Sequence, residues 1–300
     1  MIHLIVGPAG HGVTAYALQL ADALGAGDDA VVREETFTDA PLPDAPIHVA
    51  FTDHLFGTGP DASVEKLLAR VGARPLSVSF HDVPQPEEGE ARYARRSGAY
   101  RRLAAAADVV GVNSQHEARF FEGFDPAVIR LPIPVIQSRF APEPGTVGVL
   151  GFLYPGKGHE DLIAALDGSG RRLRFLGSVS KGHEAWAEEL SRHAEITGWL
   201  TDAQMAEEMG RIEVPVCAHR HFSASGSLMT WLGAGRTVLA KDSDYTREID
   251  AWLPGRITLV SGDWRSAVEA FEPEVLAPPS YGWADVASEW EDAWHSAGLM

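Results

Sequence analysis

Ser223, Ser225, Gly226 and Ser227 follow the apolar run "VPVCA" and lead into "SLMTWLGAG", which has helical character. A helix start leaves backbone N–H groups without partners and carries partial positive charge. Serine and glycine let an anion come close to those groups, so the stretch can hold a phosphate. It also reads as an ordinary capped helix, because serine is a favoured N-cap. "GFLYPGKGHEDLIAAL" supplies Gly151, then Lys157 and Gly158, just before another expected helix. A lysine there can neutralise a phosphate, or it can be an exposed helix-end cation. "GPAGHGVTAYALQLADAL" supplies Gly7, Gly10 and Gly12, a turn through which backbone can approach a ligand. Asp53 lies at the wrong distance to complete a dinucleotide fingerprint, which disfavours NAD. "SVSFHDVPQP" ends an expected strand in His81 and Asp82, a pair able to bind hydroxyl groups, with capping as the other reading of Asp82.

These groups must be positioned by strands and helices in alternation. "IHLIVG", "IHVAFT", "PLSVSF" and "VVGVNS" are continuous apolar runs separated by amphipathic segments. After "FAPEPGT" a second series begins with "VGVLGF", "RLRFLG", "VPVCA" and "TVLA". Continuous apolar strands between helices indicate parallel sheets covered on both faces. Two series split by a linker near residues 139–146 indicate two doubly wound, Rossmann-like α/β domains facing a cleft. The expected domains span residues 1–140 and 141–280. Residues 281–300 form a last helix with Trp283, Val286, Trp290 and Trp294 on one face, a core stripe free to return to the first domain.

Composition removes several classes of function. A formal net charge of −17 disfavours general nucleic-acid binding and adsorption to an anionic membrane. The single cysteine, Cys217, reads as a buried thiol, which fits a reducing compartment. "MIHLIVGPAGHG" has neither the basic nor the long apolar region of a signal peptide, and no apolar run can span a bilayer, so a cytoplasmic location is expected.

Taken in order, these segments resemble the retaining GT-B glycosyltransferases of family 4 over nearly the whole chain. The resemblance rests on the glycine turn at 10–12, His81–Asp82, "VNSQHEARFF", "GFLYPGKGHEDLIAAL", "EITGWLTDAQMAEEM", the serine–glycine loop into "GAGRTVLA", and the tryptophan helix. It implies a nucleotide-sugar donor on the second domain and a hydroxyl acceptor, carbohydrate or otherwise, mainly on the first. It implies that Lys157 meets the donor diphosphate, with Gly151 and the helix start at Ser225, Gly226, Ser227 and Leu228. By the same resemblance His81 lies near the donor sugar, and Gly10 and Gly12 approach the donor phosphate. Gly198, Trp199 and Leu200 line the nucleobase pocket. No cofactor is required, and the sequence implies no divalent metal.

The chain departs from the pattern at three places. Phe222 and Thr230 stand where the family usually has two glutamates, the second of them for the donor ribose; Phe152 stands where it has an arginine. Arg220, at the end of the "VPVCAHR" strand, is the expected replacement for that lost charge. Asp242 and Asp244 form a D-x-D pair of the kind that holds a metal in the other major glycosyltransferase fold, but a helix cap is expected at this position. His219 and His221 lack metal spacing and are expected to line the cleft or face solvent. Arg92, Arg95, Arg96 and Arg102 fall on or near one helix face, read as a solvated surface. The alternative is that Arg92, Arg95 and Arg96 meet an anionic acceptor or a local membrane surface; Asp82 is the other acceptor-side candidate, through hydroxyl groups.

The implied reaction moves a hexose with retention, the leaving diphosphate being stabilised by Lys157 and helix-start amides in a site closed to water. GDP-mannose is the first expectation for the donor, by likeness to actinobacterial mannosyltransferases, and UDP-glucose the second. A sugar-nucleotide-binding protein without transferase activity and a sugar-nucleotide epimerase are the alternatives.

Overall fold

A computed structural model describes residues 1–300. The chain divides into two compact units, Met1–Pro132 with Tyr281–Met300, and Ile133–Ser280.

The first unit is built on β1 (Ile2–Val6), β2 (Val31–Glu34), β3 (Ile47–Phe51), β4 (Leu76–Phe80), β5 (Val109–Val112) and β6 (Ala127–Val128). They form one parallel sheet in the order β2-β1-β3-β4-β5-β6. Every residue of β1, β3 and β4 is buried, which is why these strands read as unbroken apolar runs. Alternate side chains serve opposite faces. Leu4, Val6, Val49 and Phe51 enter one core, while Ile5 and Ala50 enter the other with Val286, Trp290 and Trp294.

That second core explains the tryptophan stripe. The helix Trp283–Ser296 buries Val286, Trp290 and Trp294 almost completely against the first unit's sheet. Indole N–H groups need acceptors when buried. Trp290 Nε1 donates to Tyr16 Oη at 3.1 Å and Trp294 Nε1 to Ser77 Oγ at 2.8 Å. Gly111 on β5 makes room, since a Cβ there would run into the Trp290 ring.

The second unit carries β7 (Thr146–Leu150), β8 (Arg172–Leu176), β9 (Ala194–Ile196), β10 (Val214–Cys217), β11 (Val238–Lys241) and β12 (Ile257–Val260). They too form one parallel sheet, in the order β12-β11-β10-β7-β8-β9. The expected boundary at residue 140 differs from the observed division after Pro132. The segment before β7 is bound to the second unit by its own backbone: Ile136 N–H donates to Gly233 O, Ala141 to Gly210 O and Glu143 to Arg211 O. A proline- and glycine-rich composition marked this stretch as a linker, but unsatisfied amides next to a helix end are paired where acceptors exist.

Each sheet has one point where chain order reverses. In the first it falls between β1 and β3, and in the second between β7 and β10. Ligands of open parallel sheets bind beyond the carboxyl ends of the strands at such points. No helix is long and apolar enough to cross a membrane.

Candidate functional site

At the reversal point of the second sheet, the turn after β7 meets the loop after β10. Gly151, at φ +110°, faces the Lys157 amine so closely that a Cβ there would stand 2.7 Å from Nζ and 3.7 Å from Ser227 Cβ. Gly177, after β8, is as restricted, since a Cβ there would strike the Gly151 carbonyl. Gly158, at φ +77°, precedes the helix His159–Leu166 and lies against the Ala218 carbonyl. Arg220 N–H donates to Gly156 O at 2.8 Å, which ties the two loops together. The outcome is a lysine with only 8% of its surface exposed, its Nζ 5.4 Å from the Tyr154 ring centre.

The serine loop completes this arrangement. Ser225 caps the helix Gly226–Gly233 and accepts from Leu228 N–H at 3.2 Å. The cap thus removes Leu228 from the amides expected to face a ligand, and leaves those of Gly226 and Ser227, the first two of the helix. Ser225 is itself held: its N–H donates to Tyr245 Oη at 3.1 Å, and its hydroxyl lies 3.2 Å from Ser227 Oγ. The Thr230 hydroxyl turns back on the helix and donates to Gly226 O at 2.8 Å.

Three titratable groups near Lys157, His159, His219 and Cys217, are held toward their neutral forms. Burial, with the lysine's charge added, pushes His159 down to about 3 and His219 well below its ordinary value. Burial raises the Cys217 thiol. Cys217 Sγ lies 3.3 Å from His219 Nδ1 and 3.6 Å from Ser225 Oγ. Of the two places expected for these histidines, cleft lining or solvent, His221 is exposed to solvent, while His219 is buried, edge-on to Phe222 at 4.9 Å. Desolvated neutral neighbours do not dilute the lysine's positive charge.

Arg220, the expected replacement for the lost charge, is paired away from the serine loop. Its guanidinium is turned to the helix His159–Leu166, where Asp161 takes it at 2.9 and 3.0 Å and Glu160 lies 3.9 Å away. Two acidic residues in the first turn of that helix, Glu160 and Asp161, draw the guanidinium to it. Phe152 leaves an aromatic surface in place of charge: it is 41% exposed and its ring lies 6.5 Å from that of Trp199, itself 69% exposed. Trp199 and the half-buried Leu200 follow Gly198, at φ +73°, after β9.

The D-x-D pair is spent on structure. Asp242 pairs with Arg247 and accepts from Ser261 Oγ at 3.0 Å, and the cap of the helix that starts at Asp244 is the intervening Ser243. No group of three or more His, Cys, Asp or Glu side chains is arranged to hold a metal ion.

In the first unit His81 is buried after β4, its Nε2 3.1 Å from Ser79 Oγ and its ring 4.6 Å from that of Tyr16. Burial pushes its pKa down to about 4; the Asp82 carboxylate opposes this and His11 reinforces it. Asp82 is exposed, at φ +51°. Gly10 and Gly12 lie in open space beside His11, the N-cap of the helix Gly12–Ala23. The four arginines do not share one surface. Arg96 is buried in an ion-pair network with Asp53 and Glu88, Arg92 pairs with Glu88, Arg102 with Asp61, and Arg95 is exposed. Carboxylates from distant segments capture Arg96 because a buried guanidinium requires them.

Thus one unit gathers Gly151, Lys157, Gly226 and Ser227, and the other gathers His81 and Asp82. Tyr245, Gly177 and the Cys217–His219 pair were missed. His11 stood inside the glycine turn and was passed over for its neighbours.

No protein-family model matches the chain, and no curated protein matches it in sequence. Solved structures do match in fold. HepE of Anabaena, in complex with UDP-glucose, is 15% identical, with TM-score 0.67 over 98% of this chain and 94% of its own. Sucrose-phosphate synthase of Thermosynechococcus elongatus is 13% identical, with TM-score 0.67 over 99% and 96%. AviGT4, a glycosyltransferase involved in avilamycin A biosynthesis, is 14% identical, with TM-score 0.61 over 99% and 97%. The fold is the GT-B glycosyltransferase fold.

Proposed function

We propose that the protein is a nucleotide-sugar-dependent hexosyltransferase whose donor diphosphate binds at the reversal point of the second sheet. The observation that carries this reading is the placement of Lys157 Nζ against Gly151 and Ser227, beside the open amides of Gly226 and Ser227. As the anomeric C–O bond of the donor breaks, negative charge grows on the departing diphosphate. Lys157 and those amides meet it with donors already in position, in a neighbourhood with no other cation among the packed histidines. Removing one such donor costs about a hundredfold or more in rate.

A uridine donor is favoured over GDP-mannose, because the HepE complexes hold UDP and UDP-glucose on this fold. Trp199 and Phe152 offer aromatic surface for the base. Retention is the stereochemistry expected. The loss of a second cation favours a second reading, a sugar-nucleotide-binding protein without transfer.

One experiment separates these. The protein is incubated with UDP-glucose and GDP-mannose in turn, and released nucleotide and sugar are followed by NMR. Release of UDP with glucose initially in the α form supports the transferase and retention. Binding without release supports the second reading, and an altered sugar isomer supports an epimerase.

A further inference from the structure

A directed series of hydrogen bonds crosses the reversal point of the first sheet. A backbone N–H can only donate, so His11 Nδ1 accepts from Val13 N–H at 3.3 Å and the His11 proton sits on Nε2. Nε2–H then donates to His54 Nε2 at 2.9 Å. That leaves the His54 proton on Nδ1, which donates to Thr52 Oγ1 at 3.2 Å. Thr52 donates onward to Asp82 Oδ2 at 3.1 Å. Every tautomer follows from the group before it, and every proton points toward one carboxylate.

The carboxylate is held in place by more than this series. Asp82 is a non-glycine residue at φ +51°, a conformation that persists when its surroundings enforce it. Arg96 Nη2 donates to the Asp82 carbonyl at 2.9 Å, and Tyr100 Oη donates to the His81 carbonyl at 3.3 Å. Thr52 is fully buried whereas Asp82 is exposed, and Asp82 Oδ1 has no partner within the protein. The Arg96 charge is already taken by Asp53 and Glu88.

We infer that His11, His54 and Thr52 are positioning residues that hold Asp82 Oδ1 as the hydrogen-bond acceptor for a hydroxyl of a neutral polyol substrate. Ionised carboxylates form short, strong bonds to hydroxyl donors. Arg96, whose Nη2 reaches the Asp82 carbonyl, is paired with Asp53 and Glu88, which leaves the Asp82 carboxylate as the acidic group a substrate meets here, so a hydroxyl donor is favoured over an anion. Burial, with the neighbouring His54 adding to it and Asp82 opposing, lowers the His11 pKa, which favours the neutral ring that the series requires. Within the transferase reading, on which it rests for its context, this names the acceptor class as uncharged and hydroxyl-rich.

The test uses full-length protein with 15N-labelled histidine, and D-glucose and inorganic phosphate as probes. The imidazole signals of the wild type show an Nε2–H tautomer at His11 and an Nδ1–H tautomer at His54. D-glucose shifts both sets of signals, Asp82→Asn abolishes that shift, and phosphate produces none. Thr52→Val weakens the glucose response about tenfold, equivalent to about 1.4 kcal/mol, and Thr52→Ser restores it. Signals indifferent to glucose, shifts retained in Asp82→Asn, or a stronger response to phosphate overturn the proposal. UDP binding by the same samples, read by calorimetry with Lys157→Ala as control, reports on the donor site separately. Failure there, with the glucose shifts intact, overturns the transferase reading alone; the reverse overturns this proposal alone.

Discussion

Lys157 and Gly151 define each other: a single methyl group on Gly151 would stand 2.7 Å from the lysine amine. Replacement of Gly151 by alanine adds that group at φ +110°, where side chains are rarely tolerated. Gly151→Ala is expected to destabilise the protein by about 1–3 kcal/mol and to weaken UDP binding by about tenfold or more, as Lys157 is displaced. Chemical denaturation and calorimetry check the two effects separately.

Arg220 is bound to Asp161 and 46% exposed, so its loss removes a surface ion pair. Such pairs contribute about 0–1 kcal/mol. Arg220→Ala is expected to leave UDP affinity unchanged and thermal stability nearly so. A large loss of affinity by calorimetry would place its guanidinium at the ligand after all.

The contrast between Gly151 and Arg220 shows what sequence can reveal. The Gly151–Lys157 pair was legible because both lie in one strand–turn–helix segment, whose geometry is local. The tryptophan stripe was legible because its spacing is helical and no strand follows it. Arg220 was misplaced because its partner Asp161 lies 59 residues away. Arg96 was misread as solvated because Asp53, its partner, is 43 residues distant. The His11–His54 bond also spans 43 residues and joins the ends of two strands that become neighbours only in the folded sheet.

Arg96 sits 9% exposed between Asp53 and Glu88. Removing one partner of a buried ion pair strands the other charges, at a cost of about 3–5 kcal/mol. Arg96→Met is expected to destabilise the protein by that amount in urea titration. A loss below about 1 kcal/mol would mean that the network is hydrated.

Stability should fall as the solution is acidified below the ordinary histidine range. Burial, with the chain's amino terminus adding to it, pushes His3 down from 6.5 to about 4. Between those values the unfolded chain binds the proton and the folded one does not, so stability rises with pH there. The contribution is complete above about pH 6.5 and is lost as pH falls toward 4. Each pH unit is equivalent to about 1.4 kcal/mol per histidine. His3→Gln should therefore lose about 2 kcal/mol less than the wild type between pH 7 and pH 5 by urea unfolding. Parallel losses would show that His3 is protonated in the folded state.

The most direct measurement is calorimetric titration of UDP into the wild type and into Lys157→Ala, with circular dichroism to confirm that the variant is folded. The expected result is binding by the wild type that is weakened at least about a hundredfold in the variant, as loss of a charge-assisted contact to a diphosphate requires. Equal affinity in the two proteins would contradict the assignment of Lys157 to the donor diphosphate.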